Sequence, residues 1–334
     1  MEIENGIKMI INEKEEGFYP CSDILGIINI LEKEALNIRE INLQLIKEQY
    51  CYKDKIIFHN KTIIKEETIK INDISKIYFV FKLPEKMDPS FEYPSFKIKT
   101  YIRYYLQGSF NLNEKKFYCS YIILIKKKAI IDKSKLTYEK KCNIYSYFIN
   151  KGNCNLIVNI DNNYLSFDDN LNLNLNILNE ECDLNINEIK VTVYRDIYIY
   201  SNNQNSINEE EVLNRIIKKT NINKKTKGKE NMSIFITENT HYFDLNEWKN
   251  PYKNFQLKYL IPSIDSENIK CFYNIKITLY FNSFVTFSYR PRVFIPIFVG
   301  HQSISEYNFQ IKENSSLIFS NLDGSNFFNQ KNTD

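Results

Sequence analysis

Glycine and proline are scarce in this chain, with eight of each in 334 residues, and no two prolines are adjacent. Isolated glycines build no phosphate-cradling loop. Histidine is scarcer still, with three residues, His59, His241 and His301. No Gly-x-Ser-x-Gly elbow surrounds any serine, and no cysteine sits in a catalytic signature, so a positioned nucleophile and base are not expected. His59 and His241 fall in polar turns and read as solvated surface. The seven cysteines, Cys21, Cys51, Cys119, Cys142, Cys154, Cys182 and Cys271, contain no CxxC pair and have no histidine at ligand spacing. They read as reduced, mostly buried thiols of a reducing compartment rather than a zinc site or a disulfide framework. Asp168-Asp169 lacks the spacing of a calcium loop and reads as a turn. No run of about 18 apolar residues exists to span a membrane. The segment Ile3 to Ile11 is broken by Glu4, Asn5 and Lys8, and lacks the pattern of a signal peptide. The formal net charge of +3 gives no field that would steer the chain to nucleic acid. Catalytic, cofactor and metal residues are therefore expected to be none, no nucleic acid is expected as a partner, and the expected address is cytoplasmic.

What the chain does have is aromatic and branched bulk. Tyr and Phe number 24 and 23, and aromatics make up 14% of the chain. Such side chains pack well on a pleated face and favour strands. The length suits two domains, each able to bury its own core. The most structured stretch is Ile77 to Phe110. It opens on the apolar strand Ile77-Tyr78-Phe79-Val80-Phe81, turns through Pro84, Pro89 and Pro94, and runs on as a strand from Ile98 to Phe110. Before it, strands are expected at 7–12, 24–30, 41–45 and 61–71, and after it at 115–124. Lys126-Lys127-Lys128 and the charged segment that follows read as a linker ending near Lys151-Gly152.

Beyond the linker the first pattern returns. Asn155 to Ile160 matches Ile7 to Asn12, Tyr164 to Asp169 matches Phe18 to Asp23, and Glu188 to Val193 matches Glu40 to Leu45. The spacing is roughly 147 residues, which implies two similar folded units rather than a solenoid of short repeats. Leu171, Leu173, Leu175 and Ile177 alternate with asparagines, as a half-buried strand does. Residues 201–233 are polar and read as a loop insertion. Within it, Val212, Leu213, Ile216 and Ile217 have helical spacing behind Asn208 as a cap, with acids in the first turn and lysines in the last, so one short helix is expected there. Strands resume at 233–237, 255–260, 271–281 and 293–300, and the tail from Asn314 is polar.

Several of these motifs, in order, resemble those of arrestins, most nearly the α-arrestin (arrestin-domain-containing) proteins, over roughly residues 6 to 300. Tyr19-Pro20-Cys21-Ser22-Asp23 is similar to the family's tyrosine-proline-glycine turn, with Cys21-Ser22 where glycine is usual. Leu83-Pro84, Ser90-Phe91 and Ile102-Arg103-Tyr104 follow. The strand from Leu171 to Asn179, Trp248, Tyr259-Leu260-Ile261-Pro262-Ser263, Tyr273-Asn274-Ile275 and Pro296-Ile297-Phe298-Val299-Gly300 resemble the second domain. The resemblance implies an all-β fold of two tandem immunoglobulin-like β-sandwich domains, over 1–150 and 151–312, with the insertion at 201–233 and a short polar tail at 313–334. It also makes Pro84, Arg103, Tyr104, Pro262, Pro296 and Gly300 structural motif residues. Arg103 either pairs with an acid or points outward from its strand, a structural role rather than phosphate sensing.

By the same resemblance, the protein would be a non-catalytic adaptor or scaffold. It would bind cytosolic tails of membrane proteins for endocytic or vesicular trafficking, with trafficking or ubiquitination machinery as partners. The Pro-Pro-x-Tyr motif with which α-arrestins recruit ubiquitin ligases is absent. A retromer-subunit-like coat component is the alternative. A further alternative, from the residues themselves, is a peripheral protein that meets anionic lipid of an endosomal or plasma membrane through Lys218, Lys219, Lys224, Lys225, Lys227 and Lys229.

Overall fold

A computed structural model of the chain describes residues 7–11, 17–30, 38–71, 76–94, 98–112, 115–127, 136–166, 170–200, 206–236, 261–285 and 290–300. Every regular element among them is a strand. In the first unit, β1 (Ile7–Ile11), β2 (Asp23–Ile30) and β5 (Lys76–Lys82) form a three-stranded sheet in the order β1-β2-β5. Across from it, β4 (Lys55–Lys70), β3 (Glu40–Lys53) and β7 (Lys99–Leu112) lie side by side, and β7 takes β6 (Phe91–Pro94) and then β8 (Lys115–Ile123) along its other edge. The alternation visible in the sequence is the alternation of burial. In β5, Ile77, Phe79 and Phe81 point inward while Lys76, Tyr78, Val80 and Lys82 face out. Gly108 on β7 marks how closely the sheets approach, since a Cβ there would lie 3.1 Å from Ile28 and 3.2 Å from Met9 of the opposite sheet.

The second unit repeats the plan strand for strand. β10 (Ile149–Ile160), β12 (Leu171–Leu178) and β15 (Lys227–Ile234) stand in the relation of β1, β2 and β5, with β9 (Thr137–Ser146) added at the β10 edge. In the other sheet, β13 (Ile186–Tyr200) lies between β14 (Ser206–Ile222) and β17 (Ile269–Phe281), as β3 lies between β4 and β7. β18 (Arg292–Val299) pairs with β17, as β8 does with β7, and the short β11 (Tyr164–Leu165) and β16 (Ile264–Asp265) complete that sheet. The repeat read from the sequence is thus a repeat of pairing.

Each unit also closes itself with the same small set of side chains. In the first, Ser90 N donates to Ile125 O (2.8 Å) and Ile125 N donates to Ser90 Oγ (2.9 Å). In the second, Ser263 N donates to Val299 O (2.7 Å) and Val299 N donates to Ser263 Oγ (2.9 Å). Both serines follow a proline, Pro89 and Pro262, which has no N–H to leave unpaired in the buried turn. A buried tyrosine fastens each turn from the neighbouring strand. Tyr104 OH donates to Asp88 O (3.0 Å), and Tyr273 OH donates to Ile261 O (2.6 Å). Tyr104 and Pro262 are therefore parts of two equivalent closures. Gly300 is small for a related reason, because a Cβ there would meet Tyr164 Oη at 2.3 Å. Pro296 lies on a part of β18 that, among the described residues, has a strand on one side only, where a missing N–H breaks no ladder. Pro84 accepts from Cys21 N at 3.2 Å and ties the end of β5 to the first turn.

Four expectations are corrected. Residues 206–222 are a strand, not a helix on a loop, and with 227–234 they turn most of the supposed insertion at 201–233 into two paired strands. The helical spacing has a physical source. The register slips between Val193 and Tyr194, leaving Leu213 as an extra, buried residue on β14. A bulge of this kind shifts the inward phase of a strand by one, so Leu213 and Ile216 mimic a helical i, i+3 pair. The linker expected up to Lys151-Gly152 is shorter, because 137–146 form β9, and a boundary at 150 falls inside the β9–β10 hairpin. Its weak pattern reflects an edge strand that buries only Ile144 and Ser146 fully. A strand at 91–94, β6, lies within what reads as a turn. Finally, His59 is on β4, paired with Tyr50 of β3, and not in a turn. His241, His301, Trp248, Asp168-Asp169, the strand at 255–260, and the parts of the second domain and tail from 301 onward lie outside the described residues.

Candidate functional site

The six lysines named from the sequence lie on β14, β15 and the turn between them. That turn, Asn223 to Thr226, places Lys225 at a φ of 60°. It is held against the β12–β13 connection by Asn179, a fully buried amide. Asn179 Nδ2 donates to Leu184 O (2.8 Å) and to Asn223 O (3.1 Å), and its N–H donates to Thr226 O (3.0 Å). Lys225 N donates to Cys182 O (3.1 Å) and Lys224 N to Asn185 Oδ1 (2.7 Å). The loop is therefore a clamped hairpin turn. Four of the lysines have carboxylate partners. Lys218 pairs with Glu230 (2.5 Å), Lys219 with Glu188 (2.7 Å), Lys225 with Asp183 (3.0 Å) and Lys227 with Glu180 (3.3 Å). Exposed pairs of this kind stabilise by well under about 1 kcal/mol each, but they do cancel local charge. Lys224 and Lys229 have no such partner among the described residues. The structure thus gathers the lysines on one hairpin while neutralising most of them.

A second polar cluster joins the two units, and nothing in the sequence reading marked it. Arg195 of β13 is 2% exposed. It stands directly across from Glu211 of β14, which accepts from its Nη2 (2.7 Å) and Nε (3.2 Å). Tyr93 of β6, from the first unit, lies under the guanidinium with its ring centre 5.3 Å away, and its OH donates to Glu209 Oε2 (3.1 Å). Burial and the two acids push the Tyr93 phenol far up, so it stays a donor. Lys127, after β8, also feels acids of both units, Asp88 and Asp265, while its burial lowers its pKa. The alternation Glu209-x-Glu211 opposite a lone arginine is the signal that could have found this junction, and the helical reading of β14 hid it.

A third cluster covers the outer face of the first unit's larger sheet. Arg103 makes a forked bond to Glu92 (2.8 and 3.2 Å) and lies 3.9 Å over the Tyr101 ring. Its burial alone would favour the neutral form, yet the Glu92 bonds win and raise its pKa. Arg103 therefore pairs with an acid, the first of the two possibilities. Beside it, Glu48 is buried and accepts from Tyr105 OH (2.8 Å), with His59 Nε2 at 2.7 Å and Lys61 Nζ at 3.3 Å. Burial pushes the Glu48 carboxyl up, but the bonds to His59 and Tyr105 and the charge of Lys61 together hold it below the ordinary range.

No arrangement of these groups sets a nucleophile against a base. All seven thiols are free, and five of them are buried. Burial pushes Cys51 and Cys119 up to about 11, away from the thiolate a nucleophile needs. Among the described residues, no three His, Cys, Asp or Glu side chains come together as a metal site, and no helix is long and apolar enough to cross a membrane.

With this geometry in view, residues 150–304 match the family model of the arrestin (or S-antigen) C-terminal domain, a little under half of the chain. No curated protein matches the chain. The match falls on the second unit.

Proposed function

We infer that a chain with an arrestin C-terminal domain over residues 150–304, preceded by a unit of the same strand pairing, is an arrestin-type adaptor. It binds cytosolic tails of membrane proteins and links them to trafficking machinery at the cytosolic face of a membrane. The observation that carries this reading is the family match on the second unit. The doubled plan supports it, because two sandwiches joined through Tyr93, Arg195 and Glu209 present long strand edges in a set relation. β4 is one such edge, sixteen residues long and, among the described residues, paired only to β3. An extended tail can add to an edge of this kind through main-chain hydrogen bonds, with specificity from alternate side chains. The adaptor supplies no reaction, and the buried, protonated thiols suit that role.

The test is capture of partners from native cells with the full chain, after brief crosslinking. Enrichment of membrane proteins through their cytosolic segments, together with trafficking components, is the expected result. Stoichiometric co-purification with one large helical partner and no cargo would make it a coat subunit of retromer type instead. Substrate turnover that persists through repurification would overturn the non-catalytic reading altogether.

A further inference from the structure

Three of the seven thiols gather near the start of the second unit. Cys142 of β9 stands directly opposite Cys154 of β10 in the antiparallel register. Both fall in the inward row of their strands, since Ile144 and Leu156, two residues further on, are fully buried. Cys182 lies in the β12–β13 connection, which runs against the start of β10. It bridges to Gly152, Asn153 N donates to Glu181 O (3.1 Å), and Asp183 N donates to Lys151 O (2.8 Å). Cys154 therefore has two thiol neighbours and feels both. Opposite residues of an antiparallel pair have Cα atoms about 4.5 or 5.5 Å apart, and a disulfide spans about 4.4–6.8 Å. Cys142 and Cys154 can thus be joined with little backbone movement. Cys51, Cys119 and Cys271 also lie on strands, and none of them faces a cysteine across the described ladders.

The three thiols are not equal. Cys154 and Cys182 are fully buried, whereas Cys142 is half-buried and can be reached from solvent. Burial lifts the Cys142 thiol, and the charge of Lys140, the charge of Arg292 and the Arg292 N–H pull it back towards the thiolate. Burial and the two neighbouring thiols push Cys154 far higher. Burial and the charge of Arg290 beside it lower the Arg292 pKa. Arg290 lies 4.5 Å over the Tyr280 ring, and its buried Nε has no hydrogen-bond partner among the described residues. No carboxylate of the described residues acts on Cys142 or on Arg292. The one accessible thiol of the three is therefore set among two arginines and a lysine, with no acid to neutralise them.

We propose that Cys142 is a redox site for glutathione disulfide, an anionic disulfide, and that Cys154 closes it into a cross-strand disulfide. The Cys142 thiolate attacks one glutathione sulfur, forms a mixed disulfide and expels one glutathione thiolate. The Cys154 thiolate then attacks Cys142 Sγ and expels the second. The protons given up by the two protein thiols end on the two glutathiones. Two protein thiols are thereby oxidised, and one glutathione disulfide is reduced. Lys140, Arg290 and Arg292 are complementary to the carboxylates of the tripeptide. The product staples β9, the edge strand with which the second unit begins, to β10. The site is independent of the adaptor reading, and either can fail without the other.

The test uses the full chain with Cys21→Gly, which removes the exposed thiol. It is held in glutathione buffers of rising disulfide fraction, quenched with acid and mapped by peptide mass. A Cys142–Cys154 disulfide is expected, reversed by dithiothreitol, with slower amide exchange across 137–146 in the oxidised form. Cys154→Ser is expected to stop at one glutathionyl group on Cys142, and Cys142→Ser to leave Cys154 reduced. Lys140→Gln with Arg290→Gln is expected to slow the reaction of glutathione disulfide about threefold more than that of the neutral disulfide of mercaptoethanol. Cys142 and Cys154 that both stay reduced in excess glutathione disulfide at mildly alkaline pH would overturn the proposal. So would a disulfide that joins Cys154 to Cys182 and spares Cys142. Equal slowing with the two disulfides would overturn the choice of an anionic ligand, because the charges would then act on the thiol alone.

Discussion

Cys21 occupies the third position of the turn Tyr19-Pro20-Cys21-Ser22, with a φ of 71° and a bond from Ser22 N to Tyr19 O (3.1 Å). Proline at the second position and a left-handed third residue define a type II turn, whose third place favours glycine. The arrestin turn that this stretch resembles has glycine here, and the backbone keeps the glycine conformation without the glycine. A left-handed L-residue costs about 1–2 kcal/mol, and glycine gives back about 0.5–1 kcal/mol through chain entropy. Cys21→Gly is therefore expected to stabilise by roughly 0.5–1 kcal/mol in urea unfolding, and a loss of stability would contradict this account. Glu48 gives a pH effect at the same scale. Its folded pKa lies below the ordinary 4.5, so its contribution is present above that value and is lost as pH falls through the folded one. Glu48→Gln should cost roughly 2 kcal/mol at neutral pH, and the gap to wild type should narrow below about pH 4. A gap constant with pH would mean that the charge of Glu48 does not matter.

At the scale of elements, strands with one clean alternation were legible and interrupted ones were not. Leu171 to Leu178 and Lys76 to Lys82 alternate without a break, and both are strands with matching burial. β14 was misread because its bulge at Leu213 splices two out-of-phase halves. Period alone cannot separate such a splice from a helix, and only the length of β13 available for pairing decides it. β9 was misread because an edge strand with one weakly buried row needs little apolar residue, and Lys140 breaks even that row, opposite the buried Leu156. β6 is four residues long, too short for any period to register. The lysine hairpin was legible as lysines, but its neutralising acids were not. Glu188 and Glu180 sit on β13 and in the β12–β13 connection, far from their partners in sequence.

For the whole molecule, the doubled plan was legible because both units carry their motifs in the same order, whereas the junction between them was not. Tyr93 and Arg195 come from separate repeats, and no periodicity links them. The junction is also the place where one substitution should act on both units. Arg195→Met leaves the half-buried Glu211 without its arginine, at a cost near the lower end of the about 3–5 kcal/mol that a fully buried pair shows. Arg195→Met combined with Glu211→Leu removes both charges and should recover most of that loss. Chemical unfolding of the two variants and wild type measures the difference. Equal losses in the single and double variants would show that the pair is not what fixes the junction.

The matched closures at Ser90 and Ser263 bear on how the chain reaches this state. The Ser90–Ile125 bond spans 35 residues and the Ser263–Val299 bond spans 36. Loop-closure entropy grows only with the logarithm of length, so the two closures differ by a few hundredths of a kcal/mol. Neither unit has a head start from this step. The same likeness lets a wrong docking form the same two hydrogen bonds as the right one, with Ser90 on the Val299 end or Ser263 on the Ile125 end. What separates them is kinetic: the correct partner is about 35 residues away and the wrong one far more distant, so near-neighbour closure outruns exchange, and crowded or slowed folding is where swapped species would accumulate.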